Sequence, residues 1–156
     1  MQIIACGNSD RGDDGAAFLV VERLRELGIE ALGVRTTTCT GEATGLLNAW
    51  SEADDLILVD AVVTGAPVGT IHHWDGIPPV ASRPSPSTHG LGVAEALRLA
   101  AALGHVPQSL QVYGIEAAKF DPGSSLSPQV EAAAERLAKQ IYTVLTGPSS
   151  TRSRPA

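Results

Sequence analysis

The chain has 156 residues and a mass of 16.1 kDa, the size of one ordinary domain. Its composition, 44% hydrophobic and 18% charged, excludes a disordered chain, and no apolar run approaches the roughly 20 residues that span a bilayer. The formal net charge of -6 argues against nucleic-acid binding, and two cysteines suit a reducing compartment better than a disulfide framework. Because the opening residues also lack the basic segment of a signal peptide, we expect a cytoplasmic domain.

The first half of the chain alternates between extended and helical patterns. A short apolar run predicts a first strand over Gln2–Cys6, and apolar residues at helical spacing predict a helix between Ala16 and Leu27. β-Branched residues predict a second strand over Gly33–Thr38, followed by a helix over Glu42–Trp50. The nearly continuous apolar run Leu56–Val63 is typical of a central strand that is covered on both faces.

The second half begins with an extended run, Thr70–Trp74. Its connection to the previous strand is too short for a parallel crossover, so we expect it to pair antiparallel with that strand, near an edge. A proline-rich loop over Gly76–Thr88 leads to a helix over Leu91–Leu103. A final strand over Leu110–Ile115 and a closing helix over Pro128–Leu145 complete the pattern.

About five strands that alternate with about four helices predict an α/β fold. We expect a three-layer αβα sandwich whose sheet is mostly parallel, with one antiparallel edge strand. We expect residues 1–146 to form a single domain and residues 147–156, rich in Ser, Pro and Arg, to form a flexible tail. Ligands of such folds bind outside the carboxyl ends of the strands, so polar residues at that edge are the candidates for function.

Three polar residues are expected at this edge. Asp14 lies in the acidic turn after the first strand, and Asp60 interrupts the apolar third strand, where an ionised carboxylate is costly unless it is paired or bound to a metal. His89 follows the proline-rich loop, which is long enough to cross the sheet and return. Two carboxylates and an imidazole suit a divalent ion such as nickel or zinc, with a position left open for water or substrate.

Each of these residues also has a purely structural interpretation. Asp13 and Asp14 could merely cap a helix. Asp60 could end its strand by accepting hydrogen bonds from loop amides, and His89 could be solvated at the start of its helix.

The remaining histidines and cysteines are weaker candidates. His72 and His73 are adjacent in a strand and point to opposite faces, so we interpret them as edge or solvent residues. Cys6 is expected to be a small buried residue, and Cys39 has no neighbouring cysteine at the spacing of a redox or zinc motif.

Several motifs follow one another in a specific order. A strand leads into Gly7-Asn8 and then Asp13-Asp14-Gly15, a hydrophobic strand ends in Asp60-Ala61, and a histidine precedes a helix as His89-Gly90-Leu91-Gly92. Tyr113–Glu116 and Leu126–Val130 form the last strand and the start of the closing helix. In these motifs the chain resembles the nickel–iron hydrogenase maturation proteases, over about residues 1–146.

The resemblance implies a cytoplasmic endopeptidase that removes a C-terminal extension from the hydrogenase large-subunit precursor after nickel insertion. It implies that Asp14, Asp60 and His89 are catalytic and engage the nickel, which the precursor presents and the protease does not hold permanently. The sequence departs from the family at two places: Ala5 stands where many members have glycine, and Cys39 or Thr40 stands where an acidic residue often ends the second strand.

Two mechanisms and two other functions stay open at this point. The nickel could polarise the scissile carbonyl or activate water, or it could only position the bond while an aspartate acts as general base. A non-catalytic checkpoint or nickel-dependent chaperone would bind the precursor without cutting it. A small-ligand-binding domain would use the acidic edge only structurally.

Overall fold

The computed structural model describes residues 1–40, 43–52, 54–79 and 92–148. Within these ranges, strands alternate with α-helices, and two short 3₁₀ segments cover Gly12–Gly15 and Ile29–Leu32. In chain order the elements are β1 (Gln2–Cys6), α1 (Ala16–Glu26), β2 (Arg35–Cys39), α2 (Ala43–Leu47), β3 (Asp55–Val62), β4 (Ile71–Asp75), α3 (Val93–Ala102), β5 (Ser109–Glu116) and α4 (Pro128–Thr146).

The strands form one sheet in the order β2-β1-β3-β5-β4. β1 pairs in parallel with both β2 and β3, and β3 pairs in parallel with β5. Only β4, at one edge of the described sheet, runs antiparallel to its neighbour. The predicted sheet, mostly parallel with one antiparallel edge strand, is therefore confirmed.

The prediction that β4 pairs with the preceding strand, β3, is wrong. β4 pairs with β5 and not with its predecessor β3, because β5 lies between them. Burial explains this order: β5 is fully buried from Val112 to Glu116, whereas every residue of β4 is at least partly exposed. The more apolar strand takes the inner position, and the more polar one takes the edge.

Two hydrophobic cores lie on opposite faces of the sheet. Successive residues of a strand point to opposite sides, so β1 sends Ile3 and Ala5 into one core and Ile4 and Cys6 into the other. The first core is closed by α1 and α4, and the second by α2 and α3. This arrangement confirms the three-layer αβα sandwich.

Some element boundaries differ from the prediction. The second strand begins at Arg35, because Gly33 closes a 3₁₀ turn with a left-handed φ of 81° and cannot continue into a strand. The second helix ends at Leu47 and not at Trp50. Part of the predicted proline-rich loop and the start of the next helix lie outside the described residues.

The single domain over residues 1–146 stays a prediction, as does the flexible tail. No helix in the described ranges is both long enough and apolar enough to cross a bilayer.

Candidate functional site

The carboxyl ends of β1, β3 and β5 meet at one edge of the sheet, because these strands are parallel. The 3₁₀ segment that carries Asp14 follows β1 and contacts β3. Asp60 lies two residues before the end of β3, level with Gly114 of β5. The structure thus brings Asp14 and Asp60 to the same edge, as the sequence predicted.

Gly7 allows the segment that carries Asp14 to fold back onto the end of β1. Its φ is 145°, and a Cβ atom built on it would lie 2.0 Å from the carbonyl oxygen of Asp14. The backbone N–H of Asn8 donates a hydrogen bond of 3.2 Å to that same carbonyl. A glycine is therefore required at this close approach, and Asp14 is held as a buried residue, 5% exposed.

Asp13, the neighbour of Asp14, is a structural anchor. Its buried carboxylate accepts hydrogen bonds from the N–H groups of Ala118 and Lys119, at 3.1 and 2.9 Å. It also accepts one from the N–H of Ser127 at 2.6 Å and one from its hydroxyl at 2.8 Å. Burial acts to raise the pKa of Asp13, but the hydrogen bonds led by that from Ser127 outweigh it and lower the pKa. Asp13 is thus held as a carboxylate that already accepts four hydrogen bonds.

The two residues of the Asp-Asp motif therefore have different roles. The contacts of Asp13 run to the chain between β5 and α4, so Asp13 does more than cap a helix. Asp13 fastens the segment to the connection between β5 and α4, and the charge of Asp14 acts on Asp60 of β3.

Asp60 is a titratable group whose acidity the fold perturbs at this edge. The residue keeps some contact with solvent. Burial of its carboxyl group and the negative charge of Asp14 raise the pKa of Asp60 well above its ordinary value, against an opposing hydrogen bond from the N–H of Ala61. The charge of one carboxylate makes ionisation of the other less favourable. Such a pair can share a proton or bind a cation.

Two thiols lie next to this acid pair. Cys6 ends β1 and Cys39 ends β2, in register, and their sulfur atoms are 3.2 Å apart. Cys6 is buried and Cys39 half-buried, so the expectation that Cys6 is a small buried residue is confirmed. The hydrogen bond with Cys39, burial and the charges of Asp60 and Asp14 all raise the pKa of the Cys6 thiol. The sequence showed no cysteine pair because the two residues lie 33 positions apart.

His89, the third predicted site residue, lies outside the described residues, so its place in the site stays a prediction. Within residues 1–40, 43–52, 54–79 and 92–148, no three His, Cys, Asp or Glu side chains are grouped closely enough to hold one metal ion. Asp14 and Asp60 lie at one edge of the sheet, and their role as metal ligands stays a prediction, as does that of His89.

A further buried acid at the same edge, Glu116, has a structural role that the sequence did not reveal. Glu116, at the end of β5, accepts hydrogen bonds from the N–H groups of Thr64 and Gly65 at 2.7 and 2.9 Å. His72 lies 3.0 Å from its other oxygen. Burial opposes ionisation, but these contacts lower the pKa of Glu116 overall. This carboxylate holds the turn that follows β3 and fastens β4 to the sheet.

The two strand histidines therefore differ in environment. His73 is exposed and stacks on Tyr113, with ring centroids 4.4 Å apart. His72 is only 21% exposed and bonds to Glu116, so it lies on the edge strand as predicted but is not a free solvent residue.

A family model for hydrogenase maturation proteases matches residues 40–144 of this chain. A hydrogenase expression/formation protein, HupD, of Thiocapsa roseopersicina is 30% identical over 146 residues, which are 92% of this chain and 65% of HupD. The hydrogenase 2 maturation protease of Escherichia coli K12 is 27% identical, over 92% of this chain and 88% of that protein. The chain thus covers about two thirds of the length of HupD and most of the length of the Escherichia coli protease.

Solved structures with the same fold are also similar in sequence. The hydrogenase maturating endopeptidase HybD of Escherichia coli has a TM-score of 0.73 and 25% identity, with 93% of this chain and 92% of HybD covered. The [NiFe] hydrogenase maturation protease HycI of Thermococcus kodakarensis KOD1 has a TM-score of 0.70 and 25% identity, with 94% and 93% covered.

Proposed function

The chain belongs to the hydrogenase maturation protease family, and on that premise we propose that it is an endopeptidase that matures a nickel–iron hydrogenase. Its substrate is the large-subunit precursor, from which it removes a C-terminal extension after nickel has been inserted. The observation that carries the proposal is the pair of carboxyl groups, Asp14 and Asp60, at the carboxyl edge of the sheet.

The chemistry of this pair suits recognition of a cation that arrives with the substrate. Burial and mutual repulsion make it costly for Asp60 to ionise beside Asp14. A divalent ion placed between the two carboxylates would remove that cost, so nickel carried by the precursor favours docking of the loaded form over the empty one. The protease then needs no permanent metal, and it binds the free ion weakly.

His89 is the third member of the proposed site. It precedes α3, the helix that leads through a short turn into the amino end of β5, so the helix starts towards the carboxyl edge. Only three residues of chain separate His89 from Val93, so their α-carbons are at most about 14 Å apart. An imidazole within that reach would add a nitrogen ligand to the two carboxylate oxygens, a set that suits nickel.

Peptide hydrolysis at this site has two forms that differ in the role of Asp60. In one, the nickel of the precursor, held at this edge, would polarise the scissile carbonyl group for attack by water. In the other, the nickel positions the peptide, and Asp60 takes a proton from the attacking water. A carboxyl group whose pKa is raised above its ordinary value is suited to that second role.

The compartment that we propose is the cytoplasm. A chain with only two cysteines suits a reducing compartment better than a disulfide framework does.

Intact-mass measurement of the precursor after incubation with the protein tests the proposal. We expect the nickel-loaded large-subunit precursor to lose a C-terminal peptide and the nickel-free precursor to keep its mass. A nickel-dependent complex of unchanged mass would support the checkpoint or chaperone function instead. Neither cleavage nor a complex would support a small-ligand-binding domain with a structural acidic edge.

A further inference from the structure

We propose that Cys6 and Cys39 form a redox-active dithiol that closes to an intramolecular disulfide under mild oxidation, and that this is a modification site beside the acid pair. The two sulfur atoms are 3.2 Å apart, so one thiol already donates a hydrogen bond to the other. The inference rests on this pair alone and is independent of the proposed function.

The backbone geometry permits the bond. Cys6 and Cys39 are directly paired residues of two adjacent parallel strands. Neighbouring strands lie about 4.8 Å apart, within the range of roughly 4.4–6.8 Å that disulfides require between α-carbons. Both side chains face the core that α2 and α3 cover. Closing the S–S bond to about 2.05 Å therefore needs the sulfur atoms to approach by only about 1 Å.

Oxidation is the chemistry that this pair favours over metal binding. Two sulfurs supply only half of a tetrahedral ligand set, and among the described residues no group of three ligating side chains surrounds them. Cys39 is half-buried and Cys6 is buried, so Cys39 is the sulfur that an oxidant can reach first.

Oxidised glutathione, a small disulfide, serves as the oxidant. The Cys39 sulfur attacks one glutathione sulfur and displaces the other glutathione as a thiol, which leaves a mixed disulfide on Cys39. The Cys6 sulfur then attacks Cys39 and displaces the second glutathione. Two protein thiols and one glutathione disulfide become one protein disulfide and two glutathione thiols, so atoms, protons and electrons balance.

The sequence makes the outcome simple to detect, because the chain holds only these two cysteines. The folded protein is equilibrated with oxidised glutathione, its remaining thiols are alkylated, and its intact mass is measured. We expect a monomer that has lost two hydrogen atoms, carries no alkyl group or glutathione, and recovers two reactive thiols after reduction. We also expect the oxidised form to unfold at a higher denaturant concentration, since the bond closes a long loop in the unfolded chain.

Two single variants identify the order of the steps. Cys6→Ser should accumulate one glutathione on Cys39, since no second thiol resolves the mixed disulfide, and Cys39→Ser should react much more slowly. The inference is overturned if the native wild-type protein keeps both thiols or takes up two glutathiones. It is also overturned if the native protein forms linked dimers, or closes the bond only after unfolding. These outcomes need only the wild-type chain, so a variant that fails to fold leaves the test intact.

Discussion

The carboxylate of Asp13 accepts a hydrogen bond from the backbone N–H of Ser127 at 2.6 Å and another from its hydroxyl at 2.8 Å, across 114 residues of sequence. Ser127 is the N-cap residue of α4, yet its hydroxyl donates to Asp13 and makes no cap within its own helix. This contact joins the segment that carries Asp14 to the last helix, so the acid pair is positioned by a distant part of the chain.

Replacing Asp13 with asparagine should lower the free energy of unfolding by about 3 kcal/mol. The reason is that an amide nitrogen would face N–H groups whose hydrogen bonds the carboxylate now accepts. Chemical denaturation at neutral pH measures the change. Asp121→Asn is the matched control, because the Asp121 side chain is exposed in the neighbouring loop; it should change stability by less than about 0.5 kcal/mol.

The same variant should change how stability depends on pH. The pKa of Asp13 is lower in the folded protein than its ordinary value of 3.8, so its contribution is complete above that value and is lost as pH falls through the folded pKa. The difference between wild type and Asp13→Asn should therefore shrink on acidification below about pH 4. A difference that stays constant down to pH 2 would contradict the proposed role of the charge.

Replacing Gly7 with alanine should destabilise the protein by about 4 kcal/mol and displace Asp14, because the new Cβ would collide with the Asp14 carbonyl oxygen. Gly28→Ala separates backbone strain from this collision. Gly28 also has a positive φ, 85°, but no described atom lies within 4 Å of a Cβ built there, so we expect a cost of about 1–2 kcal/mol. Equal losses in the two variants would show that the close approach is unimportant.

Replacing Asp60 with asparagine should separate stability from function. The pKa of Asp60 is raised in the folded state, so the ionised group destabilises the protein above its ordinary pKa, and the amide removes that cost at neutral pH. Asp60→Asn should therefore unfold at the same or a higher denaturant concentration than wild type.

The same variant should process the precursor at least about 100-fold more slowly. Asp75→Asn, an exposed carboxylate towards the opposite edge of the sheet, should process it normally. Unchanged cleavage by Asp60→Asn would remove Asp60 from the site.

Replacing His89 with alanine should lower kcat/KM for the nickel-loaded precursor by about 100-fold or more, since we assign it as the nitrogen ligand. His105→Ala is the control, because His105 precedes β5 at the other edge of the sheet, where it bonds to the carbonyl of Leu47. If the two variants lose activity equally, the histidine at the site has been assigned wrongly.

The fold could be predicted from the sequence where a local pattern determines it. The apolar run of β1 gave its bounds, and the alternation of strands and helices gave the three layers. The partner of β4 could not be predicted in the same way. Its neighbour β5 lies more than 30 residues later in the chain, and only burial of β5 on both faces places it inside.

In the candidate site, too, some features could be predicted from local sequence patterns and others depend on distant contacts. Parallel strands end at one edge, so the positions of Asp14 and Asp60 could be inferred from where their strands stop. The contacts of Asp13 with Ser127, of Glu116 with Thr64, and of Cys6 with Cys39 join residues more than 30 positions apart. No spacing rule reports such pairs, because they depend on the order of the strands and on the paths of the loops.

A crystal structure of the protein soaked with nickel at a concentration that fills even a weak site, with anomalous data collected at the nickel edge, tests most directly whether two carboxylates and one imidazole hold a single ion. We predict one anomalous peak about 2.1 Å from an oxygen of Asp14, an oxygen of Asp60 and a nitrogen of His89. A His89 ring turned away from the two carboxylates, or a peak that none of the three residues touches, would contradict the proposed site.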